Sequence, residues 1–525
     1  MSKLISGFAL CLGPVFLASA LAAGKAEHVV VVVWDGMRPD FITEEHTPAL
    51  YQLARSGVMF ENHHAVYCSA TEVNGTALAT GGYPQHSGII ANRDYLPDVN
   101  PLSPVNVQDT EVVRREDRIT GGRYLLRSTL AEILQTAGKT TVIAGTKQVA
   151  LLHDRRERSD GVSTGVTLFA GKTLPDSALA AIHNRLGAFP PEVKTESSAP
   201  NEPRDEWTTR ALLGPLWTNG VPAYSLLWLS EPDFSQHASG PGSPKALAAL
   251  ESSDRKLAAV LAELEHRGLR DKTDVWVVSD HGFSTVERAV DVNQKLRQAG
   301  FSASREFKSP PRKGDILVVG QGGSVLFYVT GRDVGTTRKL VDFLQQQDFA
   351  GVILMRKALE GTFTLDQACI DSPRAPDVVL SLHWSPDKSG IGVPGVFVSD
   401  GGREPGQGNH ASLSRFDMHN TLVGSGPDLK RGFTDTLPTG NTDLAPTILW
   451  LLGVKPKEPM DGRILGEALA VDAPPVGQPA TRRLETTHIA GHFVWRQYLK
   501  ISQVNQTIYL DEGNGAVTAK QAMLP

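Results

Sequence analysis

The chain has 525 residues, of which 21% are charged, and a formal net charge of -5. This length exceeds what one hydrophobic core usually accommodates, so we predict one large domain with a subdomain, or two domains. The slightly negative charge indicates no polybasic surface, which argues against nucleic acid as a stable partner held through many phosphate contacts. A small anionic ligand remains compatible if positive charge is supplied locally.

Residues 1–23 have the pattern of a secretory signal peptide. Lys3 precedes an apolar run over residues 4–21, and small residues follow up to Ala23. The alternative is an uncleaved membrane anchor, but the run is only marginally long enough to span a bilayer. We therefore predict export to a periplasm or to the extracellular space, with no membrane span after signal removal.

Apolar, β-branched runs alternate with helical patterns along the rest of the chain, which is typical of an α/β fold with a mainly parallel central sheet flanked by helices. The predicted strands cover residues 28–34, 140–144, 224–229, 274–279 and 377–382. The predicted helices cover residues 48–55, 129–137, 244–266, 337–347 and 444–452.

The segment 301–374 contains an alternating apolar run and a helical pattern, which predict a smaller α+β lid subdomain. It would separate a first part of the core at 24–300 from a second part at 375–525 that ends in strands. Residues 92–127 and 196–206 are polar and irregular, and we predict that both are surface connections.

Six acidic and imidazole side chains stand just after predicted strands or in long loops, where the sites of open α/β sheets lie. They are Asp35, Asp233, His237, Asp280, His281 and His410. Taken alone, most have an ordinary structural alternative as a turn cap, a surface pair or a loop histidine. The adjacent Asp280 and His281 are a stronger signal, because neither suits a buried strand end unless something pairs with it.

Together these side chains form one group of two carboxylates and a histidine and another of one carboxylate and two histidines. Oxygen and nitrogen ligands without a thiolate favour zinc over iron, manganese or calcium. Thr71, in the segment TEVNGTALATGGYP, offers a hydroxyl that metal coordination could turn into a nucleophile. Two ions about 3.5–4 Å apart can clamp the attacking and leaving oxygens of a displacement, so the set predicts hydrolysis of a phosphorus or sulfur ester.

The motifs VVVVVWDG, TEVNGTALATGGYP, SEPDFSQH, VVSDHG and GNH resemble those of the type I phosphodiesterase/nucleotide pyrophosphatase family of the alkaline phosphatase superfamily. The resemblance extends from VVVVVWDGMRPD to LAPTILWLLGV at 444–454. It implies an alkaline-phosphatase-like fold, a small phosphate-ester substrate and two divalent metal ions, with Zn²⁺ favoured.

The resemblance also implies a role for each site residue. One ion would be bound by Asp35, Thr71, Asp280 and His281, and the other by Asp233, His237 and His410. Thr71 would attack phosphorus and form a phosphothreonine, which water then hydrolyses.

Two further residues are matched to substrate-binding positions of related enzymes. Asn92, in GGYPQHSGIIAN, would donate a hydrogen bond to a nonbridging oxygen. Lys147 lies where monoesterases and phosphonate hydrolases of the superfamily place a lysine near the anionic end of the substrate. A solvated loop lysine is an equal alternative, and Val149 replaces a second basic residue of those enzymes.

Other enzymes of the superfamily are the main rivals. Sulfatases need a modified residue in a Cys-x-Pro-x-Arg motif, but Cys68 lies three residues before the equivalent position and no such motif follows. Glu72 replaces the aromatic residue that helps diesterases hold a nucleoside base, so nucleotide specificity is open.

We predict an exported dinuclear-metal phosphohydrolase that cleaves phosphodiester or nucleotide pyrophosphate bonds. A phosphomonoesterase or phosphonate hydrolase is the alternative, with a sulfatase, a phosphotransferase or an inactive binding protein less favoured. The natural substrate, the oligomeric state and a pairing of Cys68 with Cys369 remain open.

Overall fold

A nine-stranded, mainly parallel sheet forms the centre of the computed structural model, which describes residues 24–156, 164–191 and 201–519. The predicted signal at 1–23 lies outside the described residues. Across the sheet, the strands are Phe433–Asp435, Val58–Phe60, Leu422–Ser425, Thr273–Val278, His28–Trp34, Tyr224–Leu229, Thr141–Gly145, Gly165–Phe169 and Lys172–Leu174.

The strand His28–Trp34 lies at the middle of this sheet. It is parallel to both neighbours, and Val31 pairs with Trp276 on one side and with Leu226 on the other. The side chains of its valine run alternate between two apolar clusters, one on each face of the sheet. Burial on both faces explains why this strand is continuously apolar rather than alternating.

Most of the helices flank this sheet, whereas Val292–Gln298 and Val334–Leu344 pack in an apolar cluster with strands outside it. The longer ones are Pro48–Ser56, Thr71–Thr80, Thr110–Thr120, Leu130–Thr136, Ala178–Leu186, Glu202–Ala211, Asp233–Ser239, Pro244–His266, Val292–Gln298, Val334–Leu344 and Leu444–Leu451. Shorter helices are Pro84–Ser87, Ala150–His153 and Arg415–Met418. No helix in the described ranges combines the length and apolarity needed to cross a bilayer.

A second, six-stranded mixed sheet stands beside the first. Its strands, in spatial order, are Ala303–Ser304, Ile316–Gly320, Ser324–Val329, Val378–Leu382, Ala350–Met355 and Phe363–Thr364. The strand predicted at 377–382 is present, but its assignment to the parallel sheet was wrong, because it lies antiparallel between two strands of this second sheet. The second sheet therefore extends past residue 374, where the sequence predicts the end of a subdomain.

Two smaller sheets complete the structure. A four-stranded sheet consists of Trp384–Lys388, Pro394–Asp400, Ser284–Val290 and Gly408–Asn409, and a three-stranded antiparallel sheet consists of Ala480–Ala490, Phe493–Val504 and Thr507–Ala519. Short strand pairs join His63–His64 to Thr439–Gly440 and Arg93–Asp94 to Val105–Asn106.

The two predicted surface connections are more regular than expected. The helix Thr110–Thr120 interrupts the first, and it buries Val112 and Val113 against the main core. In the second, residues 196–200 lie outside the described ranges, and a helix begins at Glu202. In the first segment, dense charge hid the apolar face of a helix.

Candidate active site

The ends of two neighbouring strands place the first carboxylates of the site. Asp35 directly follows His28–Trp34, and Asp280 follows the parallel strand Thr273–Val278, so both meet at one edge of the sheet. The chain turns at Gly36, whose φ of 73° is in the left-handed region that glycine tolerates best. The backbone N–H of Gly36 donates to Oδ1 of Asp280 at 3.0 Å, which fixes that carboxylate.

Thr71 and His281 meet beside these carboxylates. Thr71 is the first residue of a buried ten-residue helix, and its Oγ1 lies 3.3 Å from Nε2 of His281. Nδ1 of the same ring lies 2.8 Å from the carbonyl oxygen of Gly282, which assigns the ring proton to Nδ1. Nε2 is thus free to act as a ligand, 3.3 Å from Oδ2 of Asp280 and 3.8 Å from Oδ1 of Asp35.

Asp233, His237 and His410 form a second group. Oδ1 of Asp233 lies 3.3 Å from Nε2 of His237, one helical turn further along, and 3.6 Å from Nε2 of His410. Each histidine directs Nδ1 to a backbone carbonyl, of Gly408 at 3.1 Å and of Ser69 at 2.9 Å. Carbonyl acceptors of this kind orient metal-binding histidines and leave Nε2 as the ligand atom.

Lys147 connects the two groups. Its ammonium group lies 2.9 Å from Oδ2 of Asp35 and 3.0 Å from Oδ2 of Asp233. Burial opposes the charge on Lys147, but the surrounding carboxylates, Asp233 above all, raise its pKa well above the usual value. The structure therefore places Lys147 beside two of the predicted ligands, and its contact with a substrate stays a prediction.

Three buried carboxylates each have one oxygen without a hydrogen-bond partner in the described part of the chain. These atoms are Oδ1 of Asp35, Oδ1 of Asp233 and Oδ2 of Asp280. Burial, reinforced by Asp280, raises the pKa of Asp35 well above normal, and burial raises that of Asp280 to about 7. One lysine does not compensate three carboxylates, and divalent cations would supply the missing charge.

The ligand atoms also satisfy the geometry of metal binding. Two sets, Asp233 with His237 and His410, and Asp35 with Asp233 and His281, have all their donor atoms within 4.8 Å of one another. Burial and the neighbouring His281 hold the pKa of His410 well below normal, so the ring is neutral and its lone pair is available. The two sets share Asp233, and Asp280 of the predicted first group belongs to neither, so the described residues offer nitrogen and oxygen ligands that fit a divalent cation while the number of ions stays a prediction.

Asn92 and Glu72 lie next to Thr71. Oδ1 of Asn92 accepts the backbone N–H of Glu72 at 3.0 Å, which leaves the amide NH₂ as the donor end of Asn92. The Glu72 side chain is buried, and burial raises its pKa to about 8. A carboxyl group thus occupies the position where the diesterase motif has an aromatic ring.

Sequence reasoning missed two residues that support the site. The indole N–H of Trp228 donates to Oδ2 of Asp35 at 2.8 Å. The amide of Asn441 donates to Oδ1 of Asn74 at 3.0 Å and to the carbonyl oxygen of Asp280 at 2.7 Å, which ties the helix of Thr71 to the ligand loop. Trp228 could have been suspected from its place near the end of a core strand, but no local signal marks Asn441.

The two cysteines of the described chain are buried and unpaired. The Cys68 thiol donates to the carbonyl oxygen of Ala411 at 3.2 Å, and burial raises its pKa to about 12. Cys369 is likewise free, and burial raises its pKa to about 12. Both are inert structural thiols in these surroundings.

Comparisons with known proteins agree with the motifs. A family model for type I phosphodiesterase/nucleotide pyrophosphatase matches residues 29–385. The chain is 23% identical to bis(5'-adenosyl)-triphosphatase enpp4 of Xenopus laevis over 279 residues, which are 52% of this chain and 51% of that protein. It is 24% identical to mouse ectonucleotide pyrophosphatase/phosphodiesterase family member 1 over 47% of this chain and 23% of that protein. The chain thus spans about half of these relatives' length or less.

Solved structures show the same fold. Murine ectonucleotide pyrophosphatase/phosphodiesterase 5 aligns with a TM-score of 0.60 at 17% identity, over 84% of this chain and 100% of that chain. Another structure of that protein is an inactive threonine-to-alanine variant in complex with AMP. The likeness confirms the predicted α/β fold. Because the family model covers more than half of the residues, the chain belongs to the type I phosphodiesterase/nucleotide pyrophosphatase family.

Proposed function

We propose that this protein hydrolyses phosphodiester or nucleotide pyrophosphate bonds and that Thr71 is its nucleophile. The observation that carries the proposal is the set of orphaned oxygens on Asp35, Asp233 and Asp280, together with Nε2 of His281, which lies 3.3 Å from the Thr71 hydroxyl. A buried cluster of this kind is costly unless cations bind it, and a hydroxyl beside such cations is activated for attack. The inactive threonine-to-alanine variant of the murine relative supports the same assignment.

Two divalent ions, with zinc favoured, would be held by the two groups of residues. One group is Asp35, Thr71, Asp280 and His281, and the other is Asp233, His237 and His410. When bound, the ions would lower the pKa of the threonine hydroxyl and offset negative charge on the reacting oxygens.

The residues of the chain would then act in a two-step displacement. The Thr71 hydroxyl loses its proton and its oxygen bonds to phosphorus, while the bond to the leaving alcohol or phosphate breaks and that group takes up a proton. Water next attacks the phosphothreonine and releases Thr71. The NH₂ group of Asn92 would donate to a nonbridging oxygen, and Asn441 would keep the helix of Thr71 aligned with Asp280.

A second candidate function is hydrolysis of phosphate monoesters or phosphonates. The position of Lys147, within 3.0 Å of Asp35 and Asp233, favours it because a dianionic substrate needs an additional cation. Glu72, in place of the aromatic residue of diesterases, is a further reason to test substrates without a nucleoside.

We also propose that the protein is exported, with residues 1–23 as the signal. The support is the charged start, apolar run and small-residue end of this segment. Metals from the surrounding medium would then load the site.

The test compares kcat/KM of the zinc-loaded protein for an aryl phosphodiester, an aryl phosphate, phosphonoacetate and an aryl sulfate. We expect the diester to be preferred and Thr71→Ala to lose turnover while keeping its fold and metal. The exposed Thr434→Ala is the matched control and should behave as wild type. Near-normal turnover by Thr71→Ala would refute the nucleophile, and a strong monoester preference would favour the second candidate.

A further inference from the structure

A cleft rich in arginine lies away from the catalytic residues. One cavity of about 650 Å³ adjoins the helices Thr110–Thr120 and Leu130–Thr136, and a second of about 310 Å³ shares Arg127, Glu132 and Arg156 with it. None of the residues assigned to the active site lines either cavity. The cleft reaches Thr80, at the opposite end of the ten-residue helix that begins with Thr71, a distance of about 15 Å.

Positive charge dominates the lining of this arginine cleft. Among the residues that the structure describes, eight arginine and lysine side chains face three acidic ones, although the whole chain has a net charge of -5. Such a local excess creates a field that attracts anions even when the rest of the surface does not.

The three acidic groups of the cleft already have cationic partners. Asp117 lies 3.0 Å and Glu132 3.3 Å from the guanidinium group of Arg155. Glu458 lies 3.3 Å from Arg127. Of the other cations of the cleft, Arg156 lies 3.5 Å from Glu132 and Arg114 lies 3.7 Å from Glu111.

Four of those cations have no carboxylate partner within the residues that the structure describes. They are Arg118, Arg123, Lys455 and Lys457, and all four are exposed. The larger cavity, which Arg118 and Arg123 line, also includes the buried Leu125 and Leu151, whose apolar surface limits solvent screening there. These four side chains are thus placed to bind an anion from solution rather than a carboxylate of the protein.

We propose that the arginine cleft binds a small anion with two or more linked phosphate groups. Guanidinium groups match phosphate oxygens in a bidentate manner, and several of them around one cavity require several anionic groups. The cavity volumes are those of small-molecule sites, so a short oligophosphate fits better than a polymer. This binding is independent of the proposed hydrolytic function.

Calorimetric titration with inorganic tripolyphosphate, supplied with equimolar Mg²⁺, tests the proposal on the zinc-loaded Thr71→Ala protein, which should not consume the probe. We expect the double variant Arg118→Glu and Arg123→Glu to bind about 10-fold to 100-fold more weakly. The matched control reverses the charge of two exposed cations on the helix Val334–Leu344, Arg338→Glu and Lys339→Glu, and should bind as the parent does. In the protein that retains Thr71, neither pair should alter hydrolysis of an aryl phosphodiester.

Three results would overturn the proposal. The first is no binding of tripolyphosphate, and the second is equal weakening in both double variants, which would indicate general electrostatics. The third is a protein that sediments with vesicles of anionic phospholipid but does not bind tripolyphosphate, when the sedimentation is lost in the Arg118→Glu and Arg123→Glu double variant. That result would mean that the cleft contacts a membrane surface.

Discussion

The two groups of proposed metal ligands are built in different ways. Asp35, Asp280 and His281 follow two adjacent core strands, and all three side chains are fully buried. His237, by contrast, lies on a short helix with 17% of its side chain exposed, and His410 enters from a short strand of a different sheet.

The rigidity of the site therefore has two different sources. The strand-borne group is held by sheet hydrogen bonds and by a core that cannot relax without loss of packing. The second group, Asp233, His237 and His410, depends on contacts such as the pairing of Gly408 with Thr285 and the hydrogen bond from His410 to the carbonyl oxygen of Ser69. We therefore expect damage to the first group to be severe and damage to the second to be partly reversible.

The largest effect should follow from Asp35→Asn, which keeps the shape of the side chain but removes its charge. The substitution would weaken binding of the first ion, and it leaves Lys147 without one of its two carboxylate partners. We expect kcat/KM for an aryl phosphodiester to fall by about a thousandfold or more, without rescue by added Zn²⁺. The exposed Asp98→Asn is the control, and a loss of less than tenfold in Asp35→Asn would contradict the assignment.

A smaller effect should follow from His410→Ala. The second group keeps Asp233 and His237, so excess Zn²⁺ can still occupy it at reduced affinity. We expect activity to fall by about a hundredfold and to recover partly when Zn²⁺ is added. His266→Ala, which changes a histidine with 83% of its side chain exposed, is the control. Complete loss without recovery would mean that the two groups are equally rigid.

Lys147→Ala tests the residue that joins the two groups. We expect kcat/KM for an aryl phosphate monoester to fall by about 10-fold to 100-fold, because one charge-assisted hydrogen bond is lost, whereas the diester should change much less. The ratio of the two activities is the measurement. Equal losses on both substrates would indicate that Lys147 only orders the carboxylates.

The smallest effect concerns pH and the strand-borne group. The pKa of Asp280 is raised from 3.8 to about 7 by burial, so the metal-free folded state holds a proton that the unfolded state has released. The contribution of this carboxyl group to the stability of the metal-free folded state is complete below pH 4 and is lost as the pH rises through 7. Because Zn²⁺ competes with that proton, the increase in Tm that Zn²⁺ causes should be larger at pH 7 than at pH 5. In Asp280→Asn, this difference between the two pH values should be smaller by on the order of 2 °C. An identical pH dependence in both proteins would contradict this account.

The contrast between the groups also explains what the sequence could predict. Carboxylates directly after valine-rich strands can be placed at a sheet edge from local pattern, as for Asp35 and Asp280. His410 could be proposed only from its motif, because the strand pairing that delivers it joins residues far apart in the chain. The sequence alone does not decide whether Lys147 faces the site or the solvent, because its direction depends on the contact with Asp233, which lies far away in the chain.

The features that the sequence did not predict correctly have a common physical origin. The apolar run at 378–382 marks a buried strand but not the sheet that it joins, and the structure pairs it with strands of the second sheet. In the helix Thr110–Thr120, charged residues surround the two valines that anchor it, so the segment has the composition of a loop. Asn441 acts through tertiary contacts alone, which no local pattern encodes.

The most direct test of the central claim is a count of bound metal by mass spectrometry of the purified, zinc-equilibrated protein. We expect two zinc ions per chain in the wild type and in Thr71→Ala, and about one in Asp35→Asn and in His410→Ala. An absence of bound metal in the wild type, or a content that neither ligand substitution changes, would contradict a dinuclear site built from these residues.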